Sequence, residues 1–184
     1  MKAFKLVFSV ITLLAVSQFS FAQEKTVTVG GAPMYPSKNI VENAVNSKDH
    51  TTLVAAVKAA GLVETLSGPG PFTVFAPTNK AFDKLPKGTV ETLVKPENKS
   101  TLTGILTYHV ISGKMSAADL MKAIADGGGK ATLTTVAGGT LTAMQKGKKI
   151  ELMDAKGGTA TVTIADVNQS NGVIHVIDSV LLPQ

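Results

Sequence analysis

Two stretches decide the fold. They are Pro71-Phe72-Thr73-Val74-Phe75-Ala76-Pro77-Thr78-Asn79-Lys80-Ala81-Phe82 and, near the other end of the chain, Ser170-Asn171-Gly172-Val173-Ile174-His175-Val176-Ile177-Asp178-Ser179-Val180-Leu181-Leu182-Pro183. In the first, Thr73 to Phe75 is a short run of β-branched and aromatic residues, side chains that suit a pleated, packed surface. Pro71 and Pro77 fence it, because neither can donate to a central ladder. Thr78 or Asn79 can then cap a short helix carrying Ala81, Phe82 and Leu85. In the second, Asn171-Gly172 is a tight-turn signal, both residues tolerating positive φ, and an almost unbroken apolar strand of roughly ten residues follows. A strand apolar on both faces belongs in a core.

Upstream of the first stretch the apolar spacing is helical. From Lys38, residues Ile40, Val41, Ala44 and Val45 share one face. Asp49 or Thr51 can cap a second helix with the stripe Leu53, Val54, Val57 and Ala60, stopped by Gly61. Leu62, Val63 and Leu66 make a further turn, broken by Gly68-Pro69-Gly70-Pro71. Beyond Phe82, short helices are expected at about 89–94 and 100–107, then a brief strand over Tyr108 to Ile111 ended by Ser112-Gly113. Ser116-Ala117-Ala118-Asp119 is a capping box with Asp in place of Glu, opening a helix through Leu120, Met121 and Ile124. From Gly127 the period changes to two, with strands at about 131–136, 140–145, 149–154 and 159–167 joined by glycine-containing hairpin connections. Helices first and a meander last make the fold class α+β, with helices on one side or end of antiparallel sheets.

The two stretches, with Tyr108-His109 midway, resemble the two signature blocks and central Tyr-His of the fasciclin I (FAS1) domain, in that family's order and roughly its spacing. The match runs over about residues 38 to 183. It implies a FAS1-like fold, an antiparallel β-sandwich or wedge with several short helices packed against it, occupying residues 38–184. Residues Phe72, Phe75, Thr78, Phe82, Asn171, Gly172, His175 and Asp178 are its structural signature here. The family's association with adhesion, through the corresponding Tyr-His and neighbouring aliphatic residues, implies Tyr108, His109, Val110 and Ile111 as candidate partner-binding residues. The corresponding function is a secreted or periplasmic module adhering to a cell surface, matrix protein or polysaccharide. The alternative is an enzyme or enzyme accessory acting on extracellular polysaccharide or plant polymer.

The N-terminus supports export. Lys2 and Lys5 precede an apolar run from Leu6 to Val16, and small residues at Ser20 and Ala22 follow, the layout of a signal peptide over residues 1–22. The run falls short of the roughly 20 residues that span a bilayer, and no other stretch is long enough, so the protein is not expected to span a membrane. Residues 23–37, with Gly30-Gly31, Pro33 and Pro36, lack a helical period and read as a flexible lead-in. With no cysteine, disulfides, thiol catalysis and thiolate metal sites are excluded. The net charge of +5 is spread over single lysines, and a chain with no Trp and two Tyr lacks the stacking aromatics of a nucleic-acid site. The length suits one domain, expected to be a monomer.

Catalytic chemistry is hard to find. His50, His109 and His175 show no metal-ligand spacing, the serines lie in no nucleophile elbow, and no glycine-rich turn fits a phosphate loop, so neither a metal nor a cofactor is expected. His50, at a helix start, should face solvent. His175 shares a strand face with Val173 and Ile177 and should be a buried, hydrogen-bonded core histidine. Asp178, on the opposite face, should bind backbone amides or Thr78, because an unpaired buried acid is costly. Tyr108 and His109 have an apolar body and a polar tip, which suits an exposed recognition spot. Successive strand residues face opposite ways, however, so one of the two should point inward.

Overall fold

A computed structural model describes residues 25–184, so the signal-peptide reading of residues 1–22 lies outside the described residues. The chain opens with a hairpin of β1 (Val27–Val29) and β2 (Ala32–Met34) and three helices, α1 (Ile40–Ala44), α2 (Thr51–Ala60) and α3 (Val63–Ser67). Then come β3 (Phe72–Pro77), α4 (Asn79–Phe82), α5 (Thr89–Leu93), α6 (Lys99–Tyr108), β4 (Val110–Ser112) and α7 (Ala117–Asp126). The last third is β5 (Lys130–Thr134), β6 (Thr140–Lys146), β7 (Lys149–Met153), β8 (Thr159–Gln169) and β9 (Gly172–Ile177).

Strands β3 to β9 form one seven-stranded sheet in the order β4-β3-β9-β8-β7-β6-β5. All neighbours in it are antiparallel except β3 and β9, which run parallel in register from Phe72 opposite Gly172 to Pro77 opposite Ile177. The sheet is therefore mixed, not wholly antiparallel as expected. The two deciding stretches of sequence are hydrogen-bonded neighbours. Alternation along each strand sends Val74, Ala76, Ile174 and Val176 into a core shared with α1, α2, α3 and α6. Phe75 and Ile177 face a second core with Leu120 and Ile124 of α7 and the inner face of the meander, including Leu133, Leu141 and Leu152. This central pair carries apolar side chains on both faces because both faces are covered.

Strand β8 serves both parts of the sheet. Its first residues pair with β7 and the rest with β9, with register shifts between Val162, Ile164 and Val167. The bulge, which holds Asp166 at φ 57°, bends the strand from one ladder into the other. Local chemistry sets several boundaries. The Ser116-Asp119 capping box forms as read, as does one between Asn39 and Glu42. Thr78, not Asn79, caps α4. Asn79 reaches instead to the start of α2, where its Oδ1 accepts the Thr52 N–H at 3.0 Å, and neither Asp49 nor Thr51 caps that helix; His50 holds the cap position, and its side chain makes no bond to the helix N–H groups.

The described part of the expected lead-in, residues 25–37 of 23–37, is not wholly flexible. Gly30 and Gly31, at φ 58° and 77°, form a two-residue turn with both central residues left-handed, the turn that matches the twist of a hairpin. The hairpin places Val29 and Met34 in the first core. The Asn171-Gly172 signal also works differently from the expectation. The β8–β9 turn is Ser170-Asn171, neither Asn171 nor Gly172 has positive φ, and Gly172 begins the strand. A Cβ on Gly172 would stand 2.1 Å from the Phe72 carbonyl oxygen, so glycine is required by the approach of β3.

Gly172→Ala should therefore lower stability by roughly 2–3 kcal/mol through overpacking. Gly104→Ala, inside α6 with no atom within 4 Å of the new Cβ, should raise it by roughly 0.5–1 kcal/mol. Urea unfolding midpoints at unchanged slope measure both; an unshifted Gly172→Ala midpoint would contradict the close packing of β3 on β9.

Candidate functional site

The signature residues converge on the β3–β9 pair and the junction of α6 with β4. Asn171 is a clamp. Its Oδ1 accepts the Ile40 N–H at 3.0 Å, and its Nδ2 donates to the Leu66 and Gly68 carbonyls at 2.8 and 2.9 Å, tying the β8–β9 turn to two helices. Beside it, Asn43 Nδ2 donates to Gln169 Oε1, both side chains buried. Phe72 and Phe82 pack in the helical core, and Phe75 stacks on His175 with ring centroids 5.7 Å apart.

Each histidine is held by the fold. His175 is fully buried; its Nδ1 accepts the Asp166 N–H at 3.3 Å, and Nε2 lies 2.9 Å from the Met115 carbonyl. An acceptor at Nδ1 and a donor at Nε2 describe a neutral ring that fastens the bulge of β8 to the loop before α7. His109, 3% exposed, has the opposite tautomer: Nε2 accepts the Leu181 N–H at 3.0 Å and Nδ1 donates to the Ile105 carbonyl at 2.8 Å. It pins the tail of the chain to the end of α6. His50 is also 3% exposed, which corrects the expectation that it faces solvent; Nδ1 lies 2.9 Å from Ser47 Oγ.

The candidate binding residues Tyr108, His109, Val110 and Ile111 do not form an exposed spot. All four are buried. Tyr108 is the last residue of α6 and not a strand residue, so strand alternation does not govern it. Its hydroxyl donates to the Thr140 carbonyl at 2.6 Å and accepts the Ala155 N–H at 3.1 Å, bridging two turns of the meander. Val110 faces the helical core and Ile111 the meander core. Asp178 accepts the Thr161 N–H at 2.8 Å and the Ser179 hydroxyl at 3.2 Å, with Lys84 Nζ 3.9 Å away. Its bond is to a backbone amide and not to Thr78, whose hydroxyl caps α4. His109 and Asp178 share no hydrogen bond, and among the described residues no group of three His, Cys, Asp or Glu side chains is placed to hold a metal. Among them too, no helix is long and apolar enough to cross a membrane.

A profile of the Fasciclin domain matches residues 48–183. The chain belongs to the fasciclin domain family. It is 50% identical over 160 residues to Protein sll1483 of Synechocystis sp., covering 87% of this chain and 82% of that one. Immunogenic protein MPB70 of Mycobacterium bovis is 38% identical over 145 residues, covering 76% of this chain and 66% of that one. Cell surface glycolipoprotein MPB83 of the same species is 39% identical over 145 residues, 76% of this chain and 58% of that one. The fold is that of a solved FAS1 domain pair from the insect cell adhesion molecule Fasciclin I, at TM-score 0.70 and 20% identity, over 80% of this chain and 52% of that one. This chain thus spans about half of that two-domain structure.

Burial sets the electrostatics of this fasciclin domain. Desolvation pushes the pKa of His109 down to about 4, against the opposing pull of the Ile105 carbonyl and Asp154. The same cause lowers His175, opposed by the Met115 carbonyl and Asp166, and lowers His50, opposed by the Ala76 backbone and Asp49. Desolvation likewise raises the Tyr108 hydroxyl. A histidine whose pKa is lower folded than unfolded contributes stability that is complete above pH ~6.5 and is lost as pH falls towards the folded value.

Two outcomes follow. Unfolding free energy should fall between pH ~6.5 and ~4, His109 accounting for about 3 kcal/mol of the loss, and the slope should flatten in His109→Gln when urea titrations are repeated across that range. Tyr108→Ala should cost roughly 3–5 kcal/mol, read as a large drop in thermal midpoint; an unchanged midpoint would return Tyr108 to the surface.

Proposed function

We propose that this fasciclin domain is an exported, monomeric binding module that adheres to a cell surface, an extracellular matrix protein or a polysaccharide and performs no catalysis. The observation that carries the reading is family membership over residues 48–183, beside similarity to a mycobacterial cell surface glycolipoprotein. The likeness of fold to a domain pair from an insect cell adhesion molecule accords with it. The N-terminal Lys2, Lys5 and apolar run are what support export. The geometry supports a binding role over a catalytic one in one respect: the residues best equipped for proton transfer, His109 and His175, have both ring nitrogens engaged with backbone groups. With Tyr108 to Ile111 inside, recognition falls to the outer surface, where every basic group is a lysine. Lysine offers compact, hydrated charges without the planar fork of arginine.

The test is retention of the purified protein on a panel of cells, matrix proteins and insoluble glycans at two salt concentrations, with the supernatant assayed for released sugars. Retention without product is the expected result, and its salt dependence separates charge attraction from apolar contact. Sugar release, or no retention on any surface, would overturn the reading.

A further inference from the structure

Between the first core and the helices that cover it lies a cavity of about 60 Å³. Its walls include Val29 and Met34 of the hairpin, Leu53 and Val57 of α2, Val74 of β3 and Ile174 of β9. Two histidines also line it, and they differ in one respect. His109 has both ring nitrogens satisfied. His50 bonds Ser47 through Nδ1, whereas its Nε2 is the one buried side-chain nitrogen or oxygen among the described residues without a hydrogen-bond partner. The Ala76 backbone is the group nearest to serving this ring as a hydrogen-bond partner, and it opposes the effect of burial on the pKa, yet its geometry falls short of a hydrogen bond.

A buried polar atom left unpaired is costly, and fully buried groups nearly always find a partner. Water is a poor one here. A buried water typically makes about three hydrogen bonds, whereas the lining is apolar apart from His50, His109, whose ring nitrogens are already engaged, and the exposed Lys58. What fits is a molecule with an apolar body, to replace the missing dispersion contacts, and one polar atom. Ser47 can donate to Nδ1 or accept from it, which leaves Nε2 either donor or acceptor; a hydroxyl complements both. The volume admits only a few heavy atoms. We propose that this cavity is a binding site for a short aliphatic molecule bearing one hydroxyl, held by His50 Nε2.

The probes are 1-butanol and n-pentane, equal in heavy atoms and differing in the hydroxyl, titrated into the full-length protein while the histidine ring nitrogens are followed by NMR. Butanol should shift His50 Nε2 and leave the ring nitrogens of His109 unmoved, and pentane should enter without shifting His50 Nε2. His50→Phe should weaken butanol binding roughly tenfold and leave pentane binding as tight or tighter. An unmoved His50 Nε2 throughout the range in which the fold persists overturns the proposal, as does equal butanol affinity in His50→Phe. If His50→Phe fails to fold, the wild-type contrast between butanol and pentane decides alone.

Discussion

The close approach of β3 to β9 is the constraint from which most of the structure follows. Two parallel strands are joined edge to edge with the Phe72 carbonyl over the bare Cα of Gly172, and the result is a ribbon with an apolar face on each side. Neither face can be left to water, so the chain needs two covers. It supplies one from α1, α2, α3 and α6, and the other from α7 with the meander β5 to β8. The bulge in β8 allows a single strand to close the ribbon's edge and open the meander, so that the second cover remains part of the same sheet.

Polar residues within this seam act as fasteners. Asn171 joins the final hairpin to α1 and α3, His175 joins the bulge to the loop before α7, and His109 joins the end of α6 to the tail at Leu181. Each saturates backbone groups that a strand or helix terminus leaves unpaired, which is why the two imidazoles are tolerated at full burial. Their neutral state is part of this role. A proton added to either ring would place a charge among aliphatic side chains and convert an accepting nitrogen into a second donor facing an N–H.

Much of this was legible in the sequence because it is written in local patterns. The unbroken apolar run after Gly172, the period-two alternation after Gly127 and the Ser116-Asp119 box each correspond to the element they suggest. The family resemblance agreed with the matched profile. What was not legible depends on residues distant in sequence. Nothing local says that β3 and β9 run parallel, or that Asn79 serves α2 and not its own helix. Strand alternation misleads at Tyr108 and His109, because the helix runs through Tyr108 and a side chain at a helix end obeys a different geometry. A place at a helix start suggests exposure for His50, while its burial goes with the hairpin and β3, whose residues line the same cavity. The hairpin has a local signal in Gly30-Gly31 after the β-branched Val27 to Val29, but its second strand, Ala32-Pro33-Met34, has no strand pattern of its own.

The parallel pairing also governs when the fold can close. β3 meets a partner about a hundred positions further along the chain. The helices of the first half can begin to form as soon as they are made, but the ribbon they are meant to cover lacks one of its two strands until Gly172 to Ile177 arrive. Contacts so distant in sequence slow folding, since the loop entropy is lost before the contacts return it. Until Gly172 to Ile177 are free to pair, the core therefore stays open on one side of β3, and closing it reports that this strand has arrived.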